Sequence, residues 1–518
     1  MWGFFQKKSK TGIKILPENN KNHFIIALSV ISGLILNVDP SSIILVLSKI
    51  SEQFDTNLSD SQWILSIYLL PLASLVIAGG AICDKYPVTR VLSGGFVLFL
   101  IGSIYSSISQ GLVHLLFARA ICGVGAAAAF PASLALIRKC LPESQAQKAF
   151  GLWFAGALGG SAIGPLINGF LVDRSSWRVI FLISSGVSLL LLVSLLFSHI
   201  PAPAVSKDSQ LSLRSSLVTT VGLIGIVFGL IKAGSNGWSS PVTILPIAGG
   251  IIIFLSKVAL DNFYKSDSKK SIGELKKAWP FISLMFLGIL PVVGVVVLTV
   301  LYLGAIRELS VFQTGLAIAP FGLSAALLSP LVPKLLLKYK FGWMLSTAIC
   351  FQLSGLVILI ATKSNSNYFV IGTGLFCLGI SMAILPSSTL NQALSYAPDS
   401  LSGYISGLHN GAIQVGQLLS IALIGSLATA NINKELRKTF SSDWGNISDS
   451  NYEALARGED WLPQQLSNTD ADAFHQLARV SFSSGLSRTV FTAVIILLIC
   501  MFFGLISKYK LSRDFNNK

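Results

Sequence analysis

Charged side chains are scarce in this chain. Only 12% of the 518 residues are Asp, Glu, Lys or Arg, whereas 52% are hydrophobic, and the mean hydropathy is +0.70. A water-soluble domain of this length does not have such a composition, because its surface needs more polar and charged residues. The apolar residues recur in runs of about 20, the length that crosses the hydrocarbon core of a bilayer. The sequence therefore predicts an all-α polytopic membrane protein.

Motifs for ATP hydrolysis and for metal or redox chemistry are also missing. No G-x-x-x-x-G-K-[ST] loop occurs, and no predicted cytoplasmic stretch is long enough for an ATPase domain. The six cysteines show neither metal-binding nor disulfide spacing, and no cluster of acids, histidines or a nucleophile with a base occurs at membrane depth. We therefore expect no enzyme activity, no cofactor and no metal, so that any uphill work draws on an ion gradient.

The apolar runs predict about fourteen membrane spans. One pair, 214–233 and 242–262, is diluted by Gly, Ser and Thr, and without it the count falls to twelve. The predicted spans are 24–47, 62–82, 90–108, 112–137, 149–172, 179–199, 214–233, 242–262, 279–303, 312–335, 342–362, 367–390, 403–429 and 487–507.

These spans divide into two six-helix bundles joined by the diluted pair. The predicted organisation is a cytoplasmic tail over 1–23, a first bundle over 24–199, a linker with two extra spans over 200–278, a second bundle over 279–507 that includes an outer loop at 431–486, and a cytoplasmic tail over 508–518.

Lysine and arginine in the short loops predict the orientation. They flank the spans on one side, and cytoplasmic loops are the ones enriched in positive charge. Both termini are then cytoplasmic, the acidic loop 431–486 is outside, and the chain is a multi-pass protein of the cell (inner) membrane. The net charge of +15 follows from this topology and suits an anionic lipid surface. Because the charge is divided among short loops, it does not indicate nucleic-acid binding.

Glycine is concentrated in the fifth predicted span, which reads Gly156-Ala-Leu-Gly-Gly-Ser-Ala-Ile-Gly164-Pro-Leu-Ile-Asn-Gly169. Such a density weakens a soluble helix, whereas in lipid it lets neighbouring backbones approach closely. Gly156, Gly160 and Gly164 are four residues apart and share one face. We predict a moving interface between the two bundles here, with ordinary tight packing as the alternative.

A second motif follows the second span, as Gly79-Gly80-Ala-Ile-Cys-Asp84-Lys85-Tyr-Pro87-Val88-Thr-Arg90. It resembles the Gly-x-Leu-x-Asp-Arg-x-Gly-Arg-Arg/Lys loop of the major facilitator superfamily, specifically of its fourteen-helix drug/proton antiporter branch. Pro87 and Val88 depart from that pattern, so the motif is degraded. Asp84, among cytoplasmic cations, can hold a charge latch that closes one face. A solvated loop carboxylate is the alternative.

Three more segments resemble this family's motifs in the family's order. The segment 37–42 is similar to Leu-Asp-x-Thr, and 119–126 is similar to Arg-x-x-x-Gly-x-Gly-Ala. The glycine-rich span is similar to the antiporter signature Gly-x-x-x-Gly-Pro-x-x-Gly-Gly, with Asn168 in place of a glycine. The ordered set covers nearly the whole chain.

The resemblance implies two bundles that rock around a central site and a secondary transporter that exports an amphipathic or hydrophobic small molecule, such as a drug, an antibiotic or a toxic compound. A dedicated exporter of a metabolite such as a siderophore, and a non-transporting receptor or assembly factor, are the alternatives. The residues that would gate the conformational change are Gly80, Asp84, Lys85, Arg90, Gly160, Gly164, Pro165 and Gly169.

Ionisable residues at membrane depth are the candidates for proton coupling. A charge in hydrocarbon costs several kcal/mol on some scales, so it normally faces a partner or a water-filled cavity. We predict that Asp39 and Arg119 carry the coupling, with His409 as a further candidate. The alternatives are a helix-end position near the membrane surface for Asp39, a tether to backbone carbonyls for Arg119, and a packing role for His409.

Depth within the spans also suggests which aromatic and polar residues line a substrate cavity. They are Trp63, Tyr68, Tyr302, Asn391, Gln392 and Gln414. The expected partners are a small-molecule substrate, protons as the coupling ion and the lipid bilayer. We expect a monomer, joined by a periplasmic adaptor and an outer-membrane channel in a Gram-negative host.

Overall fold

The computed structural model describes residues 18–56, 58–197, 213–264, 269–362, 366–396, 402–440, 476–477 and 479–499, apart from some side chains within the helices. Most of the predicted tails and outer loop, at 1–17, 441–475 and 508–518, lies outside the described residues. So does the stretch 198–212 between the first bundle and the inserted pair.

The first half consists of six helices at the six predicted positions. They are α1 (Glu18–Phe54), α2 (Leu58–Lys85), α3 (Val88–Ser107), α4 (Leu112–Cys140), α5 (Glu143–Arg174) and α6 (Val179–Phe197). Pro87 and Pro142 stand immediately before α3 and α5, where the fixed backbone of proline starts a helix at no cost in hydrogen bonds. The helices are longer than the predicted spans because their polar ends continue beyond the apolar stretch.

The inserted pair also forms two helices, α7 (Leu213–Asn236) and α8 (Pro241–Tyr264). Gly237 joins them with φ +85, a backbone conformation that side chains with a Cβ rarely adopt. The two helices pack closely, since a Cβ on Gly229 would lie 2.6 Å from the carbonyl oxygen of Thr243. Helix α7 also packs against α2 and against the helix Ser402–Phe440 of the second half.

The second half contains the remaining helices. They are α9 (Lys269–Ile289), α10 (Val293–Leu301), α11 (Val311–Leu328), α12 (Val332–Lys338), α13 (Phe341–Ile360), α14 (Tyr368–Ser395), α15 (Ser402–Phe440) and α16 (Arg479–Ile499). The predicted span 279–303 is interrupted between α9 and α10, and 312–335 is divided by a 3₁₀ turn between α11 and α12. A π-helical turn over Tyr302–Ile306 follows α10.

Helices α15 and α16 extend into the range predicted as the outer loop, since α15 continues to Phe440 and α16 starts at Arg479. The extension has partners. Glu435 of α15 forms an ion pair with Arg488 of α16 at 2.7 Å, and the hydroxyls of Thr439 and Ser481 lie 2.8 Å apart. These polar contacts hold both helices together where the apolar stretch of α15 has ended.

Membrane-spanning character is clear in most helices. In the described part of the chain, ten helices are long and apolar enough to cross a bilayer, and three shorter apolar stretches occur at Asp60–Val76, Thr220–Gly234 and Pro241–Ile253. The predicted all-α polytopic membrane fold is therefore confirmed.

Two helix pairs join the halves. Helix α5 packs against α11, and α2 packs against α15. We call these contacts the α5–α11 seam and the α2–α15 seam. Helix α7 lies against both members of the second pair, so the inserted pair covers the α2–α15 seam.

Candidate functional site

A fully buried ion pair lies in the first half. The guanidinium of Arg119 on α4 donates from Nη1 to Oδ2 of Asp39 on α1 at 2.5 Å, and both side chains are 0% exposed. The hydroxyl of Ser184 on α6 donates to the other carboxylate oxygen at 3.1 Å. The structure thus brings together two of the three residues predicted for proton coupling and adds Ser184 to them.

Tyr68 of α2 completes this cluster. Its ring lies 4.3 Å below the guanidinium carbon of Arg119, in cation–π geometry. Its hydroxyl donates to the carbonyl oxygen of Leu36 at 3.4 Å. That carbonyl has no helical partner, because the residue four positions later is Pro40, which lacks an N–H. Tyr68 therefore connects the charge pair to the point in α1 where Pro40 leaves a backbone carbonyl without its helical partner.

The chemistry of the cluster follows from its charges. An uncompensated buried charge is costly, so removal of one partner of such a pair destabilises a protein by about 3–5 kcal/mol. Nε and Nη2 of Arg119 are buried without a hydrogen-bond partner, so the guanidinium can bind a further acceptor. The cluster therefore connects α1, α2, α4 and α6 through one buried charge pair.

His409, the other predicted proton residue, lies in the second half on α15. Its Nε2 is 2.9 Å from the hydroxyl of Thr389 on α14, and its Nδ1 is buried without a hydrogen-bond partner. The side chain is 1% exposed. This histidine belongs to the packing between α14 and α15 and contributes nothing to the Asp39 cluster.

The loop motif lies at the junction of α2 and α3. Gly80, Asp84 and Lys85 end α2, and Arg90 is exposed in the first turn of α3. The side chain of Asp84 is outside the described part, so its latch role stays a prediction. Lys139 of α4, which the sequence reading missed, donates to the carbonyl oxygen of Cys83 at 2.7 Å and thereby ties α4 to the last turn of α2.

The glycine stripe of α5 packs inside the first half. A Cβ on Gly160 would lie 2.9 Å from the carbonyl oxygen of Leu34, and one on Gly164 would lie 3.0 Å from a methyl of Val38. Leu34 and Val38 belong to α1 of the same bundle. The expectation that this stripe lies between the two bundles is therefore wrong at these positions. The small residues allow α1 and α5 to approach within one bundle.

The neighbouring face of α5 does form the contact between halves. A Cβ on Gly169 would lie 2.9 Å from Cα of Phe312, and a Cβ on Gly315 would lie 2.7 Å from the carbonyl oxygen of Pro165. Phe312 and Gly315 belong to α11. Pro165 and Gly169, but not Gly160 and Gly164, therefore lie in the α5–α11 seam.

Asp173 closes this seam at its end. Its Oδ1 accepts from the backbone amide of Val311 at 3.1 Å and its Oδ2 from that of Phe312 at 2.9 Å. Lys49 of α1 lies 3.4 Å from Oδ1. Burial raises the pKa of the Asp173 carboxyl, but hydrogen bonds from the Phe312 amide, Ser310, the Val311 amide and Lys49 lower it more, so its pKa lies below the ordinary value.

The α2–α15 seam is closed at the same end. A Cβ on Gly425 would lie 2.7 Å from Cδ of Gln62, and Nε2 of Gln62 donates to the hydroxyl of Thr429 at 3.5 Å. Oε1 of Gln62 is buried without a hydrogen-bond partner and borders a cavity of about 10 Å³, room for one water. By the orientation predicted from Lys and Arg, this end faces outside, and we call it the outer end.

The residues suggested for a substrate cavity are scattered. Trp63 packs on Phe228 of α7, with ring centroids 6.2 Å apart. Tyr302 is fully buried in the π-helical turn after α10. Gln414 is buried on α15. On α14, Gln392 is half-buried and Asn391 is exposed. Of the six, Tyr68 alone touches the charge pair, and the cavity assignment of the set stays a prediction.

Ser184, Lys49, Asp173 and Gln62 were missed by the sequence reading. The sequence gives a weak indication for Asp173, because an acidic residue directly after a span is placed to contact a neighbouring helix end. Ser184 and Gln62 are single polar residues without a pattern. Among the described residues, no group of three or more His, Cys, Asp or Glu is placed to hold a metal ion.

Comparison with known proteins agrees with this architecture. The Major Facilitator Superfamily matches residues 27–421. The chain is 27% identical over 417 residues to the multidrug resistance protein Stp of Mycobacterium tuberculosis, covering 78% of this chain and 74% of that protein. It is 25% identical over 483 residues to the multidrug efflux pump LfrA of Mycolicibacterium smegmatis, covering 91% and 94%.

A solved structure confirms the fold. A bacterial homologue of the human lysosomal transporter Spinster, in an inward-facing and unoccupied conformation, superposes with a TM-score of 0.64 at 16% identity and covers 96% of this chain and 99% of that chain. The family match extends over most of the chain, and the helices and the two-half arrangement agree with it. The chain therefore belongs to the Major Facilitator Superfamily and is a multi-pass membrane transporter, not an enzyme.

Proposed function

We propose that this transporter exports an amphipathic or hydrophobic small molecule, of the drug or antibiotic class, in exchange for protons. The substrate class is supported by the relatives, several of which are named for multidrug or antibiotic resistance. The coupling rests on one observation, the fully buried ion pair between Asp39 and Arg119.

The pair supplies a two-state element. While Asp39 is ionised, it holds Arg119 and accepts the Ser184 hydroxyl, so α1, α4 and α6 are tied together. A proton that reaches Asp39 from the outside cancels the attraction and leaves the guanidinium free to bind another acceptor. Release of that proton to the cytoplasm restores the pair. Because the two arrangements pack differently, the proton gradient drives the exchange between the conformations.

The test is Asp39→Asn in inside-out vesicles, with substrate accumulation measured with and without a pH gradient. Asparagine keeps the size of the side chain and an oxygen that accepts from Ser184, but it cannot ionise. We expect gradient-driven accumulation to be lost while substrate binding and downhill exchange remain. Glu52→Gln is the matched control, because Glu52 is an exposed carboxylate on the same helix. Uphill transport by Asp39→Asn at the normal rate would contradict the proposal and make His409 the next residue to test.

The alternative of a dedicated exporter has support from the names of other relatives. One is the tetracenomycin C resistance and export protein of Streptomyces glaucescens, which is 24% identical over 410 residues. A panel of chemically unrelated cations and neutral drugs in the same vesicles separates the two. Transport of several members of the panel indicates broad efflux. Transport of one metabolite and of no member of the panel indicates a dedicated exporter.

The setting of the transporter is also a proposal. We infer that it lies in the cell (inner) membrane as a monomer, with both termini in the cytoplasm. The supporting observation is the excess of Lys and Arg in most of the predicted cytoplasmic loops.

A further inference from the structure

We propose that Asp173 is a gating residue that holds the outer end of the transporter closed by capping a helix of the opposite half. The proposal uses only the alternating conformations of the family. It depends neither on the coupling ion nor on the substrate, so it can fail while the proposed function stands, and the reverse.

Four backbone amides at the start of α11, those of Ser310 to Gln313, need hydrogen-bond partners from outside the helix ladder. The first four N–H groups of any α-helix have no partner within the helix. Here the amide of Ser310 donates to Oε1 of Gln313 at 3.1 Å, and the amide of Gln313 donates to the hydroxyl of Ser310 at 3.2 Å. This reciprocal capping box satisfies two of the four groups locally.

The other two amides, of Val311 and Phe312, are satisfied from the other half of the protein. Each donates to one oxygen of the Asp173 carboxylate, at 3.1 Å and 2.9 Å. The carboxylate also lies at the positive end of the α11 dipole, where a negative charge is stabilised. The hydrogen-bonding capacity of α11 is therefore complete only while α5 and α11 are together.

Lys49 also contacts Asp173, in addition to the two amides of α11. It lies on α1, 3.4 Å from Oδ1 of Asp173 and 3.5 Å from the carbonyl oxygen of Val172. The side chain of Asp173 is 21% exposed and that of Lys49 is 40% exposed, so the contact lies at the edge of the seam and not in the core. An exposed pair of this kind is weak by itself. The helix cap is the main component, and Lys49 orients the carboxylate.

The consequence is an asymmetry between the conformations. With the outer end closed, one carboxylate satisfies two amides and one cation. With the outer end open, the amides of α11 and the carboxylate of α5 separate and each must be solvated by water. Asp173 thus stabilises the outer-closed conformation selectively, which is the property of a gate residue.

The experiment measures the accessibility of a reporter cysteine from outside, without substrate. In a cysteine-free background, Val297→Cys places the reporter beside the small cavity in the interface between halves, where Val297 is 5% exposed. Intact cells are treated with a membrane-impermeant maleimide, and the labelling rate is followed. We expect Asp173→Asn to raise this labelling rate about fivefold, because the outer-closed conformation would lose about 1 kcal/mol of stabilisation and that free energy corresponds to a factor of about five in population. Asp173→Glu, which keeps the charge, should stay close to the parent.

Two controls separate gating from damage. Glu52→Gln removes an exposed acid from the same end of the molecule and should leave the rate unchanged. In a second set of variants, the natural Cys122 is the only cysteine. It is 0% exposed where α3 packs on α4, so the maleimide labels it only if the protein unfolds. If Asp173→Asn exposes Cys122, Lys49→Gln replaces it, with about a twofold increase expected.

Faster labelling of the reporter with Cys122 still protected supports the gate. Labelling of Asp173→Asn at the parental rate, or an equal increase in Glu52→Gln, overturns it. If Lys49→Gln is the variant used, labelling at the parental rate overturns it in the same way.

Discussion

A methyl group at Gly169 provides a direct test of the α5–α11 seam. The Cβ of Gly169→Ala would lie 2.9 Å from Cα of Phe312, 2.9 Å from the carbonyl oxygen of Val311 and 3.1 Å from the amide nitrogen of Phe312. All three are backbone atoms of α11, so no side-chain rotation relieves the contact. The helices must separate by about 0.5 Å or more to restore normal van der Waals distances.

The strain acts on one conformation only. Overpacking costs about 1–3 kcal/mol, and here the cost disappears when α5 and α11 separate. The equilibrium should therefore move toward the outer-open conformation by about 5- to 150-fold. Two readouts follow: an impermeant maleimide should label Val297→Cys faster from outside, and export should slow because the transporter remains outer-open for longer.

The same helix offers matched controls. A Cβ on Gly159 meets no atom within 4 Å, so Gly159→Ala adds the same methyl group to α5 without contact. A Cβ on Gly164 meets side-chain atoms of α1 in the first half, so Gly164→Ala strains that packing without touching the seam. Neither change should speed labelling of the reporter. If Gly169→Ala labels no faster than Gly159→Ala in a folded protein, the seam is not the closed gate that these distances indicate.

Three further predictions concern packing, pH and topology. Gly164→Leu should overpack α5 against Val38 and lower the thermal unfolding midpoint in detergent, with a destabilisation of about 1–3 kcal/mol, while the outer seam stays closed; a faster-labelled seam would show that the stripe does reach the other half. Because the pKa of Asp173 lies below the ordinary value, the contribution of its carboxylate is present above that value and lost only as the pH falls through the lowered one. The labelling rate of the seam reporter, divided by that of an exposed reference thiol to remove the pH dependence of the maleimide reaction, should therefore be constant from about pH 5.5 to 8, and an increase of this ratio near neutral pH would assign the gate to another group. Single cysteines placed in 441–475 should react with an impermeant reagent in intact cells and cysteines in 265–268 should not, and the reverse pattern would invert the proposed topology.

Hydropathy and motif order predicted the helices well, because both depend on local sequence. A bilayer span is a requirement on about 20 consecutive residues, so the predicted spans coincide with helices, except that 279–303 and 312–335 are each divided into two. Asp39 and Arg119 were both predicted to carry the coupling because few charges occur at membrane depth and each needs a partner or a water-filled cavity. That they are each other's partner was not predicted. The interruption of the ninth span was not predicted, because no residue in the 290–292 stretch carries a breaking signal beyond one proline.

The contacts between the halves were beyond the sequence reading. Glycines four residues apart predict a smooth helix face, but they do not specify which helix lies on it. The structure assigns the face of Gly160 and Gly164 to α1 and the adjacent face of Pro165 and Gly169 to α11. A rotation of about 100° between neighbouring residues separates the two, and only tertiary packing determines which partner each face meets. The role of Asp173 was not predicted for the same reason, since its partners are backbone amides more than a hundred residues away in the sequence.

Pro40, next to Asp39, creates a point at which α1 can bend, because one backbone hydrogen bond of the helix is missing there. Between Pro40 and Lys49 the helix is about 13 Å long, at 1.5 Å per residue. A bend of about 10° at the break, where one backbone hydrogen bond is missing, would displace the Lys49 end by about 2 Å. That displacement exceeds the tolerance of a hydrogen bond, so it would separate Lys49 from Asp173. A bend of α1 beside Asp39 would therefore be transmitted to the outer end of the transporter along a single helix.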